Sequence, residues 1–197
     1  MALVRTALLI LLFGTGFARA EPGDWTLLPK ESRLGFQATE EGQLAEGGFG
    51  RFGGVIHFDK DHLEQARLDI EIDMQSVMSS YEEMPATLKT ETWFDVARFP
   101  KARYVSTKIS PDGKGGYRAD GSLTLRGVSV PVTVAFRFES YGPKASDPKI
   151  LRAAAKGEAL LKRTAFGVGQ GDWKSTDVVA DPVKVIFTLA AEKPANG

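Results

Sequence analysis

The stretch Ala66-Arg67-Leu68-Asp69-Ile70-Glu71-Ile72-Asp73-Met74 decides the fold. Leu68, Ile70, Ile72 and Met74 fall on one side, and Arg67, Asp69, Glu71 and Asp73 on the other. This period-two alternation is that of a strand with one apolar and one wet face. At about 3.3 Å per residue, the nine residues span roughly 30 Å. The same rhythm continues in both directions. Leu34, Phe36 and Ala38 form a stripe upstream, and Phe52, Ile56 and Phe58 form another around Gly54. Downstream, alternation predicts strands over 102–109, 117–125, 130–139, 151–166 and 183–191. Turn signals separate them at Asp112-Gly113, Gly115-Gly116, Arg126-Gly127 and Tyr141-Gly142-Pro143. About eight strands joined mostly as hairpins read as an all-β meander, and no strand–helix–strand rhythm is present.

The region 79–99 breaks the pattern. Ser79 with Glu82, and Ser80 with Glu83, have the spacing of a capping box, but Pro85 cannot sit deep inside a helix. A short helix with Pro85 in its first turn, ending near Thr90, resolves the conflict. Trp93, Phe94 and Phe99 then crowd a connection, and three loop aromatics need an apolar surface to lie on. An eight-stranded meander leaves two open edges unless it closes into a barrel. At that size a barrel is filled by side chains or holds one small ligand. Gly35, Gly54 and Gly121 in the apolar stripes point weakly to internal space, and a packed β-sandwich stays open as the alternative.

Composition narrows the function. The chain has 197 residues, 25 basic and 25 acidic side chains, two histidines and no cysteine. Met1 to Ala20 has the layout of a secretory signal peptide: Arg5, an apolar run over 7–17, then Ala18-Arg19-Ala20. Removing these twenty residues, two of them arginine and none acidic, leaves 177 residues with a formal charge of −2. That length fits one domain, 21–197, with a sizeable core. Such a charge gives no excess of cations for nucleic acid. The lack of cysteine excludes disulfides, thiolate metal sites and thiol nucleophiles. An export signal of this type points to a bacterial periplasm.

Several constellations have plain structural readings. Asp69, Glu71 and Asp73 lie along one strand face, which spreads the carboxylates instead of converging them on an ion. His57-Phe58-Asp59-Lys60-Asp61-His62 places two imidazoles and two carboxylates within six residues, yet it reads as a strand end running into a polar turn. Gly167-Val168-Gly169-Gln170-Gly171 is followed by no helical pattern, so it lacks the helix N-terminus that a phosphate-cradling loop needs. No Gly-x-Ser-x-Gly elbow is present, and no catalytic set emerges. Lys162 and Arg163 take opposite faces of a predicted strand, so one turns toward the apolar side. Arg163 there meets a ligand head group, or it pairs with an acid and packs its stem across a barrel mouth.

A series of stretches spread over nearly all of the mature length matches one protein family in order and spacing. Trp25-Thr26-Leu27 with Ser32-x-Leu34-x-Phe36 is similar to the family's opening hairpin. Gly48-Phe49-Gly50-Arg51-Phe52-Gly53-Gly54-x-Ile56-x-Phe58-Asp59 resembles its second stretch. Trp93-Phe94-Asp95-Val96-Ala97-Arg98-Phe99-Pro100 resembles its aromatic connection. The most specific match is Gly121-Ser122-Leu123-Thr124-Leu125-Arg126-Gly127-Val128 with Pro131-Val132, followed later by Arg163 and Phe166-Gly167-Val168. Together these stretches resemble the YceI-like family of polyisoprenoid- and lipid-binding proteins, with two departures: Ala165 in place of an acid, and Ser79-Ser80-Tyr81 in place of a Thr-Gly turn and Arg-Asp pair.

The resemblance implies an extended, lipocalin-like, eight-stranded antiparallel β-barrel with a short helix near one end. It also implies a long isoprenoid, quinone or other lipid tail in the lumen, with no cofactor. The lumen would be lined by Leu34, Phe36, Phe52, Ile56, Phe58, Leu68, Ile70, Ile72, Leu123, Leu125, Val134, Phe136, Phe166 and Phe187. Polar groups at the mouth are expected from Tyr104, Ser106 and Arg163, with Trp93, Phe94 and Trp173 shielding it. A membrane surface touched in passing and a second copy in a homodimer stay open as partners. A ligand-free packed interaction module and an enzyme acting on a bound lipid remain the competing readings.

Overall fold

The computed structural model describes residues 24–195, so the cleavage site expected after Ala20 lies outside the described residues. Eleven strands occur: β1 (Asp24–Leu27), β2 (Arg33–Glu40), β3 (Gln43–Phe49), β4 (Phe52–His57), β5 (Arg67–Asp73), β6 (Val77–Ser79), β7 (Lys101–Pro111), β8 (Tyr117–Leu125), β9 (Val128–Lys144), β10 (Asp147–Lys162) and β11 (Pro182–Pro194). One α-helix, α1 (Met84–Lys89), stands among them in the described residues. Eight strands close an antiparallel ring in the order β1-β4-β5-β7-β8-β9-β10-β11, with β11 returning to β1. The other three, β2, β3 and β6, branch from β11 as a side sheet.

The branch arises because the N-terminal chain breaks once along β11. Thr26 and Leu27 pair with Glu192 and Ala191, whereas Arg33 to Gln37 pair with Thr188 to Lys184. Between them Pro29–Glu31 forms a 3-10 turn. The ladder stays satisfied across that break. Leu28 N donates to Ala190 O at 2.8 Å, and Ala190 N donates to Ser32 Oγ at 3.0 Å. β1 then turns to β4, pairing Asp24 with His57 and Trp25 with Ile56, while β2 turns to β3. One end of the barrel is thereby closed and the other forked.

The alternating wet face of β5 makes the expected outer surface. Asp69 accepts from Arg103 Nε at 2.7 Å, Glu71 meets Lys101 Nζ at 2.6 Å, and Asp73 meets Arg51 Nη2 at 2.8 Å. The bound Arg103 guanidinium holds the Asp69 carboxyl below the usual carboxylate range. Arg126 and Gly127 form the tight turn between β8 and β9, both with positive φ (53° and 75°), as a primed hairpin turn requires. Phe99 lies over Gly127, so this loop aromatic finds its surface there.

Four expectations need correction. Tyr141-Gly142-Pro143 is not a turn but part of β9, which runs on to Lys144. β8 reaches only to Phe136 on β9, so Pro143 sits where its missing N–H faces no second strand. Residues 163–166 leave β10 and wind into a 3-10 turn that ends at Gly167 with φ 66°. The capping boxes do not form: the N-cap of α1 is Glu83 with no side-chain cap bond, and Ser79 Oγ donates to Glu46 O instead. Pro85 does occupy the first helical turn.

Gly54 and Gly121 do not mark hollow space either; they mark close approaches. A Cβ on Gly121 would stand 2.3 Å from Val105 O and 2.8 Å from the Tyr104 hydroxyl. Gly54 has φ +147°, and a Cβ there would stand 1.9 Å from Asp69 O, whereas one on neighbouring Gly53 would meet nothing within 4 Å. Gly54→Ala should therefore lower stability by about 2 kcal/mol or more, and Gly53→Ala should change it by less than about 0.5 kcal/mol. Urea unfolding of the pair checks this, and equal effects would remove the close-approach explanation.

Candidate functional site

The buried core is divided in two. One cluster joins Trp25, Phe58, Ile109, Ala119, Ala153 and Ala191, with Tyr117, Phe136, Phe138 and Tyr141 packed against it. Its aromatics interlock: Phe58 meets Tyr117 edge-on at 5.1 Å and Phe138 at 5.1 Å, and Trp25 meets Tyr141 at 5.4 Å. Trp25 Nε1 donates to Phe58 O at 2.9 Å, which ties β1 to the end of β4. This cluster plugs the end closed by β1. The second cluster gathers Met74, Leu88, Trp93, Phe94, Tyr104, Phe166, Val168 and Val179 near α1.

An apolar cavity of about 900 Å³ lies along the barrel between them. Leu34, Phe36, Leu68, Ile70, Ile72 and Leu123 point inward yet are only half-buried, because they face this space. The volume has a local cause on β10. Ala153, Ala155 and Ala159 line the cavity where larger residues would have filled it. The exposed lining residues mark the mouth: Glu41, Gln43 and Leu44 at the β2–β3 turn, and Tyr81, Glu83 and Thr87 beside α1. Glu41 and Gly42 form that turn with φ 48° and 78°.

Nineteen of the twenty residues expected at the site line this cavity, and Ser106 does not. Ser106 Oγ instead accepts the Leu68 amide at 2.7 Å, filling a ladder position beside the register shift of β7 on β8. Leu34, Phe36, Phe52, Ile56, Phe58, Leu68, Ile70, Ile72, Leu123, Leu125, Val134, Phe136 and Phe187 come from strands, while Phe166 enters from the 3-10 turn. Trp93, Phe94 and Trp173 stand in the wall near α1, with Trp93 and Trp173 5.5 Å apart.

The polar pair is committed to the backbone. Tyr104 donates its hydroxyl proton to Ala119 O at 2.7 Å, and burial pushes its phenol up to about 12. Arg163, 4% exposed, donates from Nε to Val179 O and Ala180 O, from Nη1 to Val168 O at 2.9 Å, and from Nη2 to Ser175 O at 2.7 Å. It thereby gathers both halves of the 167–180 loop. Of the glycines in that loop, Gly169 joins this arginine cage, its carbonyl accepting from Nη1 at 3.5 Å. Among the described residues, no group of three or more His, Cys, Asp or Glu could hold a metal ion. His57 meets Asp24 at 2.9 Å and His62 meets Asp59 at 3.2 Å, as two separate pairs.

A closed eight-stranded antiparallel barrel with a deep apolar lumen open at one end defines a lipocalin-like fold. The chain belongs to the YceI-like domain family, which matches residues 25–191. A UPF0312 protein of Pseudomonas savastanoi pv. phaseolicola is 28% identical over 149 residues, 75% of this chain and 73% of its own length. The crystal structure of Burkholderia cenocepacia BcnA superposes with a TM-score of 0.76 at 28% identity, covering 84% of this chain and 99% of that one. A polyisoprenoid binding domain from Saccharophagus degradans, implicated in plant cell wall breakdown, superposes at 0.62 with 16% identity, covering 88% and 100%.

Two outcomes follow from the committed polar groups. Arg163→Met leaves several buried carbonyls without a donor and should cost about 3–5 kcal/mol, with faster amide exchange over 167–180. Unchanged stability would free Arg163 for a head group. Tyr104 is neutral when folded up to about pH 12 but ionises near 10 when unfolded. Its contribution is therefore full below pH 10 and lost as pH rises from 10 to 12. In urea titrations across that window the wild type should lose stability more steeply than Tyr104→Phe.

Proposed function

We propose that this chain binds one long isoprenoid or other lipid tail in its barrel, and carries or sequesters it in the periplasm without chemically altering it. The single observation that carries the reading is the apolar cavity of about 900 Å³. At about 30 Å³ for a group the size of a water molecule, that space takes roughly thirty such groups, or about six isoprene units. Burial of each methylene contributes about 0.8 kcal/mol, so a tail of this length binds tightly by apolar contact alone, even after ordering costs. Family membership and the fold shared with a polyisoprenoid binding domain support the same reading.

The periplasmic location rests on the leader over 1–20, whose removal leaves three residues before β1. Leu44 and Tyr81, exposed at the mouth, are the apolar surface expected to touch a membrane when a tail is drawn in or released. Binding without turnover is favoured by the commitment of Tyr104 and Arg163 to backbone carbonyls. Mass spectrometry of an organic extract of the protein, purified from the periplasmic fraction, tests the proposal. A lipid with a tail of about 25–35 carbons near equimolar amount is expected, unchanged on incubation. An extract matching that of a control protein would overturn binding, and steady conversion of the lipid would establish an enzyme instead.

A further inference from the structure

The lumen has a defined bottom. Trp25, Phe58, Phe136 and Phe138 line the deep end of the cavity, and Tyr117 and Tyr141 of the same cluster stand behind them, outside its lining. Trp25 and Phe58 are buried, whereas Phe136 and Phe138 stay half-buried because they face the open space. Phe138 is the last residue of β9 to reach the cavity. Its ring meets Phe58 and Tyr141 at 5.1 Å, Tyr117 at 5.8 Å and Phe136 at 6.0 Å, so four other rings hold it in place. Two residues beyond Ala191 on β11, Lys193 Nζ lies 5.1 Å from the Trp25 centroid. A hydrocarbon pushed through the floor would have to displace that cation as well as the rings.

The lane above this floor is kept open by β10. Its inward positions 153, 155, 157 and 159 are Ala, Ala, Gly and Ala, so no side chain there extends past Cβ over about 20 Å. Phe187, the register partner of Gly157, lies down into the notch: a Cβ on Gly157 would stand 2.4 Å from its ring. Ala155 pairs with Phe138 across the β9–β10 ladder and is half-buried, with the lumen before it. The exposed polar residues of the lining, among them Glu41, Gln43 and Glu83, stand at the opposite end. A tail with a polar head therefore enters hydrocarbon end first and runs down until it meets Phe138.

Resting on the lipid-binding reading, we propose that Phe138 and Ala155 are the specificity-determining residues for tail length. The Phe138 ring is the stop on which the end of the tail comes to rest, and the short side chain of Ala155 leaves the last free stretch of lane before it. A tail shorter than the lane leaves a void against the stop, and the side chains around that void lose contacts. A longer one keeps its surplus units in water outside the mouth, where they gain no burial. The preferred tail is the one that spans from stop to mouth.

An equimolar mixture of all-trans prenyl alcohols of three to nine isoprene units, delivered from dodecyl maltoside micelles and read by native mass spectrometry of the protein, tests this. Wild-type occupancy should peak near about six units, the length the cavity volume holds, and fall severalfold by nine. Ala155→Leu puts three more carbons into the lane and should move the peak about one unit shorter. Phe138→Ala removes the six-carbon ring of the stop and should move it about one unit longer. A peak that either folded variant leaves in place, or wild-type occupancy still rising at nine units, overturns the proposal. Should Phe138→Ala not fold, Ala155→Leu, which fills open space and leaves the aromatic plug intact, decides alone. A wild type that retains none of the alcohols would instead bring down the lipid-binding reading, and the proposal with it.

Discussion

Closure of the barrel depends on four residues. Asp24 to Leu27 are the bridge between β4 and β11, with two residue pairs on each side. So short a strand is a weak clasp by its ladder alone. Trp25 reinforces it by donating across to Phe58 O, by packing on Tyr141, and by lying under the Lys193 ammonium at 5.1 Å. The same chain departs at Pro29–Glu31 and re-enters as β2, which no longer faces β4. One break in one strand therefore seals the aromatic end and forks the other. The lumen acquires a floor and a mouth from the same event.

The strands were largely readable because their inward and outward positions differ chemically at every second residue. Leu68, Ile70 and Ile72 against Asp69, Glu71 and Asp73 could not be read otherwise. What misled was punctuation. Gly142-Pro143 carries the residues of a turn, but those residues are also tolerated where a strand outruns its neighbour, and only the end of β8 shows that β9 has done so. The break between β1 and β2 was hidden for a related reason. Its satisfaction comes from Ser32 reaching Ala190, a partner 158 residues away.

The lumen followed the strands, since any residue on the apolar face of a closed sheet must look inward. The alanines of β10 were the missing signal. Ala153, Ala155 and Ala159 are small residues at alternating positions, legible as a thin wall once that strand is placed in a barrel. The polar residues were harder. Ser106, Tyr104 and Arg163 carry chemistry suited to a ligand, and residue type gives no hint of which carbonyl or amide each will meet. Their partners lie 15 to 38 residues away for Tyr104 and Ser106, and across a non-repetitive loop for Arg163. The glutamates at the mouth escaped notice because the β2–β3 turn reads as ordinary solvated surface.

Unfilled apolar volume destabilises a fold in rough proportion to its size, since side chains on its border lose contacts. A lumen this large persists only if its walls are held by bonds that do not require filling. The continuous strand ladders supply most of that rigidity. The buried polar groups supply it where the ladders stop: Ser106 at the register shift of β7, Tyr104 across β8, Arg163 beneath the loop after β10. These side chains sit around the lumen without being offered to it. Their hydrogen bonds hold the space open, and the caged arginine also backs the Trp93 ring of the cavity wall at 6.0 Å. An occupant then adds stability through binding to a wall already built.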